Sequence, residues 1–173
     1  MNEVIKNMLT RVSVRDFKSD MIPSETLDLI IEAGKSAPTG RNRQSPIIIS
    51  VTDKAVRDKI SKKNAEIMGT DGDPFYGAPV ILIVLADKSV PTYIYDGTLV
   101  MENLMLSAHS LGIASCWIHR AKEEFEDSFG KEILDSLGIK GEYEGIGHVA
   151  LGYANCVLPE PKTRKSNYVY YIK

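Results

Sequence analysis

Apolar residues recur at helical spacing in three stretches of the chain and run together in four short ones. Val4, Ile5, Met8 and Leu9 predict a helix over Asn2–Leu9. Leu27, Ile30, Ile31 and Gly34 put one apolar face on Thr26–Lys35, with Ser24 after Pro23 as its N-cap. Val56, Ile60, Ala65 and Ile67 do the same for Asp53–Met68. The short runs 47–51, 80–86, 113–118 and 146–152 are rich in β-branched residues and predict buried strands. Thr10–Arg15 alternates instead, which sets Arg11, Ser13 and Arg15 on one side of an extended segment.

Thr92–Gly112 follows neither pattern. Leu99, Val100, Met101, Leu104, Met105, Leu106 and Leu111 point in most directions around a helix that Gly112 would end. A helix apolar nearly all round has to be covered nearly all round. Asp96, Glu102, Asn103 and His109 interrupt it, so it is not the clean run of about 18 residues that a membrane span needs. So short a chain cannot surround such a helix alone, and a second copy is expected to cover part of it. Glu123–Leu137 reads as one or two short helices broken near Gly130, and 69–79 as a flexible loop dense in glycine and aspartate. Pro159 and Pro161 precede a basic, aromatic tail, 162–173, which either frays or adds a strand to a partner. With no repeat or linker, residues 1–173 are expected to form one domain, an α+β or α/β sandwich around one sheet.

Composition narrows the function classes. A content of 43% hydrophobic and 25% charged residues is that of an ordinary globular protein, and a net charge of −2 gives no general pull towards nucleic acid or an anionic membrane. The N-terminus lacks the basic and apolar regions of a secretory signal, so a cytoplasmic protein is expected. Cys116 and Cys156 both lie among apolar residues and read as buried, reduced thiols.

Candidate chemistry concentrates in three places. Arg11, Ser13 and Arg15 offer two guanidiniums and a hydroxyl, which suits a phosphate monoester or, equally, a solvated basic edge. Lys162, Arg164 and Lys165 form a second basic group in the tail. Pro38-Thr39-Gly40-Arg41-Asn42-Arg43-Gln44 reads as a defined turn with local donors and acceptors, set by its proline and glycine. No metal set is evident: Cys116 and His119 have the spacing of half a zinc site, without the other half. His109, His119 and His148 have no carboxylate or serine partner visible in the sequence, so no catalytic triad is predicted.

In order along the chain, these pieces resemble the nitroreductase family of FMN-dependent oxidoreductases. The resemblance runs through Arg11-Val12-Ser13-Val14-Arg15-Asp16-Phe17, then Ala37-Pro38-Thr39-Gly40-Arg41-Asn42-Arg43-Gln44. It continues at Asp96, Leu111-Gly112-Ile113-Ala114-Ser115-Cys116-Trp117-Ile118, Ala150-Leu151-Gly152-Tyr153 and Lys162-Thr163-Arg164-Lys165.

The resemblance implies an α+β three-layer sandwich, a central mainly antiparallel sheet flanked by helices, and an intertwined homodimer with FMN at the interface. Arg11, Val12, Ser13, Lys162 and Arg164 would gather at the FMN phosphate, and Arg15 at the pyrimidine edge of the ring. Ser115, Cys116, Trp117 and Ile118 would face the ring through their backbone. Pro38, Thr39, Gly40 and Asn42 would come from the other subunit, with tail 162–173 extending over it. The implied activity is transfer from NADH or NADPH to a nitroaromatic, quinone or similar small-molecule acceptor in ping-pong order. The alternative is a flavin store or sensor with little turnover. Because the flavin carries the chemistry, no catalytic side chain and no metal are required.

Overall fold

The computed structural model describes residues 1–173. Four strands, β1 (Pro46–Val51), β2 (Val80–Asp87), β3 (Ala114–Ile118) and β4 (Tyr143–Gly152), form one sheet in the order β1-β2-β4-β3. All three pairings are antiparallel. Six helices complete the fold: α1 (Glu3–Thr10), α2 (Ser24–Lys35), α3 (Lys54–Met68), α4 (Tyr93–Ser110), α5 (Ala121–Glu126) and α6 (Ser128–Ser136). The architecture is the expected α+β sandwich, and the sheet is antiparallel throughout.

β2 explains the layering. Its side chains alternate between faces, and both faces are covered, so the whole strand reads as apolar. Ile81, Ile83 and Leu85 pack with Ile60 of α3, Phe125 of α5 and Leu134 of α6. Val80, Leu82 and Val84 pack with Leu27 and Ile30 of α2 and with Val100, Met101 and Leu104 of α4. Two cores therefore lie on opposite faces of one sheet.

The central helix is only partly enclosed. Val100, Met101, Leu104, Met105 and Ala108 are buried in the chain's own core. Tyr95 and Leu99 stay 72% and 45% exposed, so one face of α4 is open rather than every face being covered. Gly112, at φ 74, ends the turn after α4 as its sequence predicts. All of α1 is unburied, with Val4, Ile5, Met8 and Leu9 exposed.

Several local expectations are corrected. Pro23, not Ser24, occupies the N-cap of α2, and its carbonyl accepts from Leu27 N at 3.0 Å. The break between α5 and α6 falls at Asp127, whose carboxylate accepts from Ser128 N. Gly130 lies within α6, where an added Cβ would strike the backbone at Phe125, so this glycine permits close packing rather than breaking the helix. The 69–79 loop is pinned, because Asp73 accepts from Arg57, Ser61 and the amides of Phe75 and Gly77. Cys116 is buried as expected, but Cys156 lies beyond the last strand and is exposed.

Candidate functional site

The extended segment after α1 runs beside β3. Val14 N donates to the Ser115 carbonyl at 3.0 Å, and Ser13 pairs with Ser115 as a parallel bridge. Val14 points into the core, which turns Arg11, Ser13 and Arg15, at odd positions of the extended segment, the other way. Those three line a cleft of about 260 Å³ with Val12, Pro159, Pro161, Lys162 and Arg164. The two basic groups at opposite ends of the sequence thus meet. Glu160 is the one acid in the lining.

Arg11 carries the most telling atom. Its Nη1 is buried and has no hydrogen-bond partner. A buried guanidinium nitrogen left bare is costly unless an acceptor from outside the chain meets it. The neighbouring groups feel this charge. His109, which meets Thr10 Oγ1 at 2.9 Å, is pushed below the ordinary imidazole range by burial and then by Arg11. Burial pushes the Cys116 thiol up, against opposing pulls from Arg15, Ser13 and Arg11. The cationic lining, with the Ser13 hydroxyl beside it, has the charge and donor types that a phosphate monoester dianion calls for.

β3 is the second part of the site. Because the Ser115 carbonyl faces the N-terminal segment, the backbone of Trp117, two residues on, faces the same outer edge. Cys116 and Ile118 send their side chains into the core, so what β3 offers outward is mostly main chain.

The third candidate stretch, Pro38, Thr39, Gly40 and Asn42, is not part of the cleft lining. It forms a defined turn, with Gln44 N donating to Thr39 Oγ1 at 3.1 Å. Gly40 is not left-handed, whereas Arg41, Asn42 and Gln44 are, at φ 54, 54 and 51. Left-handed non-glycine residues are uncommon, and they persist only where surrounding contacts hold them. Asp96 of α4 supplies that hold. It is 3% exposed and accepts from Gly40 N at 2.9 Å, Ser45 Oγ at 2.9 Å and Thr92 Oγ1 at 3.0 Å. Gly40 is required because an added Cβ would run into Thr92.

The model of the nitroreductase family matches residues 8–73 and 67–153, which together take in every element of the fold except the start of α1. The chain belongs to the nitroreductase family. A protein of Archaeoglobus fulgidus, provisionally named NADH dehydrogenase/NAD(P)H nitroreductase, is 30% identical over 97% of this chain and 91% of its own. An FMN reductase [NAD(P)H] of Bacillus subtilis is 35% identical over 66% of this chain, which spans 47% of that relative. Among solved structures, a nitroreductase with bound FMN from Bacteroides fragilis superposes with a TM-score of 0.90 at 29% identity, covering 100% of both chains.

Two polar constellations of this nitroreductase escape a reading of the sequence. The Asp96 latch joins residues that are 51 and 56 positions apart, and only a tertiary fold reveals it. The second is a buried group beneath the end of β3. His148 Nε2 lies 2.8 Å from Glu124 Oε2, so this histidine does have a carboxylate partner. Glu124, placed by sequence in a surface-like run of acids, is buried because α5 turns it inward.

Proposed function

We propose that this nitroreductase is an FMN-dependent oxidoreductase that draws on NADH or NADPH and serves a small-molecule acceptor such as a nitroaromatic or quinone. One observation carries the reading: a cleft lined by cations from both ends of the chain, among them Arg11, which has a buried nitrogen without a partner. The FMN-bound neighbour and the FMN reductase relative support it.

In this reading Arg11, Ser13, Lys162 and Arg164 hold the phosphate, with Val12 between them. Arg15 places a cation where negative charge develops on the ring. The stretch Ser115, Cys116, Trp117 and Ile118 sets the ring's position, with the main chain of Ser115 and Trp117 turned outward. FMN, when bound, supplies hydride and single-electron chemistry that no side chain here could provide. Donor and acceptor use the one site in turn.

The working unit in this proposal is a homodimer of single-domain chains in the cytoplasm. Tyr95 and Leu99 on α4, with the apolar face of α1, form the surface that a second copy covers. The strained loop at Pro38, Thr39, Gly40 and Asn42 then serves the partner's flavin, which accounts for its separation from the cleft of its own chain. The tail from Lys162 exposes Tyr168, Val169, Tyr170, Tyr171 and Ile172, and reaches over the partner.

The test is an absorbance spectrum of the purified protein, followed by NADH and NADPH titration without oxygen. A yellow protein bleached within seconds by either nucleotide is the expected result. Protein that takes up no FMN overturns the reading. Bound flavin that neither nucleotide reduces favours a flavin store instead.

A further inference from the structure

Below the end of β3 lies a set of polar side chains that the phosphate cleft does not use. Asn64 of α3, Glu124 of α5 and His148 of β4 are all fully buried. Asn64 Nδ2 donates to the His119 carbonyl at 2.9 Å and to Glu124 Oε1 at 2.6 Å. Its Oδ1 accepts from Arg120 Nε at 3.0 Å, and Glu124 Oε2 closes the chain to His148. Asn64 therefore uses both donors and its acceptor.

Such a cluster is a poor way to stabilise a core, because apolar residues of equal volume often do as well. Its presence suits a task that apolar residues cannot do. What it touches is one turn, His119-Arg120, between β3 and α5. Arg120 is held there in a left-handed conformation, φ 79, that a non-glycine residue seldom takes.

The orientation of that turn follows from peptide geometry. In a trans peptide the carbonyl of one residue and the N–H of the next point in opposite directions. Asn64 draws the His119 carbonyl inward, so the Arg120 N–H is directed away from the cluster. That N–H makes no main-chain hydrogen bond. Glu124 fixes which way round Asn64 sits, since a carboxylate can only accept and so demands Nδ2. His148 steadies Glu124 from the sheet. Its Nδ1 has no partner, so a proton on Nε2, donated to Glu124, leaves only a lone pair bare. Gly145 lets α5 settle close enough for this contact, because a Cβ there would collide with the Ala121 carbonyl.

We propose that Asn64, Glu124 and His148 are positioning residues, which set the His119–Arg120 peptide and so the outward N–H at the flavin-facing end of β3. The inference rests on the reading of β3 given under the proposed function. The titratable groups facing the cluster are Arg120 and Glu124 themselves, His148, and Lys63, whose ion pair with Asp127 lies at the surface near α5.

The experiment compares Asn64→Ala with Ile60→Val, a cavity control on the same helix. Amide hydrogen exchange at position 124, whose N–H donates to the Arg120 carbonyl at 3.1 Å and so reports the turn, is measured in FMN-free and FMN-loaded protein, with the visible spectrum and midpoint potential of the loaded form. Asn64→Ala is expected to speed exchange in the turn by about tenfold or more, with β2 unchanged, and to move both spectrum and potential. Ile60→Val should lower stability and move none of these. Glu124→Gln, which keeps the shape but must turn a donor towards one neighbour, is expected to fall between and serves if Asn64→Ala does not fold. Wild-type exchange in the turn, with an unaltered spectrum and potential, in either folded variant overturns the proposal. A wild-type protein that binds no FMN defeats the flavin reading separately, while the FMN-free exchange still tests the turn.

Discussion

Arg11 and Arg164, from opposite ends of the chain, line the same cleft of about 260 Å³, and one Arg11 nitrogen is buried without a partner. No regular element joins the two. They meet because the N-terminal segment is stitched to β3 and the chain after β4 folds back past it.

Arg11→Ala is expected to weaken FMN binding. A charge-assisted hydrogen bond contributes about 1.5–3 kcal/mol, equivalent to roughly a 10- to 150-fold rise in Kd. Fluorescence titration measures this directly, and an unchanged Kd removes Arg11 from the site.

Lys162→Ala with Arg164→Ala should act mainly on departure of the cofactor, since two cations are taken from a dianion. Release of FMN by dilution is expected to quicken by at least about tenfold, with the oligomeric mass unchanged. Removal of residues 162–173 should add a loss of mass. Wild-type release and mass in the truncated protein would show that the tail does neither job.

Leu99→Glu tests the open face of α4. Leu104 and Met105 are unsuitable, because both lie in the chain's own core and a charge there would unfold a monomer as readily as a dimer. At Leu99 the expected product is a folded monomer by circular dichroism and sedimentation, since burying an unpaired carboxylate in an interface costs several kcal/mol. A dimer of unchanged affinity would move the interface elsewhere.

Asp73 gives a pH dependence. Burial alone would raise its carboxyl, but hydrogen bonds from Arg57, Ser61, Gly77 and Phe75 outweigh it and hold the group below the ordinary value of 3.8. The folded chain therefore binds this proton less readily than the unfolded one. The stabilisation is present above that ordinary value and is lost as pH falls below it. Asp73→Asn should lower Tm markedly at about pH 7, and the gap from wild type should narrow towards about pH 3. A gap that stays constant with pH would mean that the charge of Asp73 is immaterial.

The sequence was most legible where one local rule decided the outcome. Apolar runs located all four strands to within a few residues, and the alternation at 11–15 put Arg11, Ser13 and Arg15 on one side. It failed where a residue's role comes from distant partners. Glu124 looks solvent-facing until α5 turns it towards His148, and Asp96 gives no sign that it will fasten a loop 56 positions earlier. Gly130 misled for a related reason. It is needed for lack of a side chain rather than as a helix breaker, and the neighbour that would collide is not readable from adjacent residues.

Helix α5 spans six residues, too few to persist in water without help, and it borrows its existence from two neighbours that have no side chain at the point of contact. Gly145 lies beneath its first turn and Gly130 beside its end. In a saturation survey of this gene, those two codons should be as intolerant as any that specify a ligand-touching residue. Selection would mark them as if they were functional, although their contribution is only room.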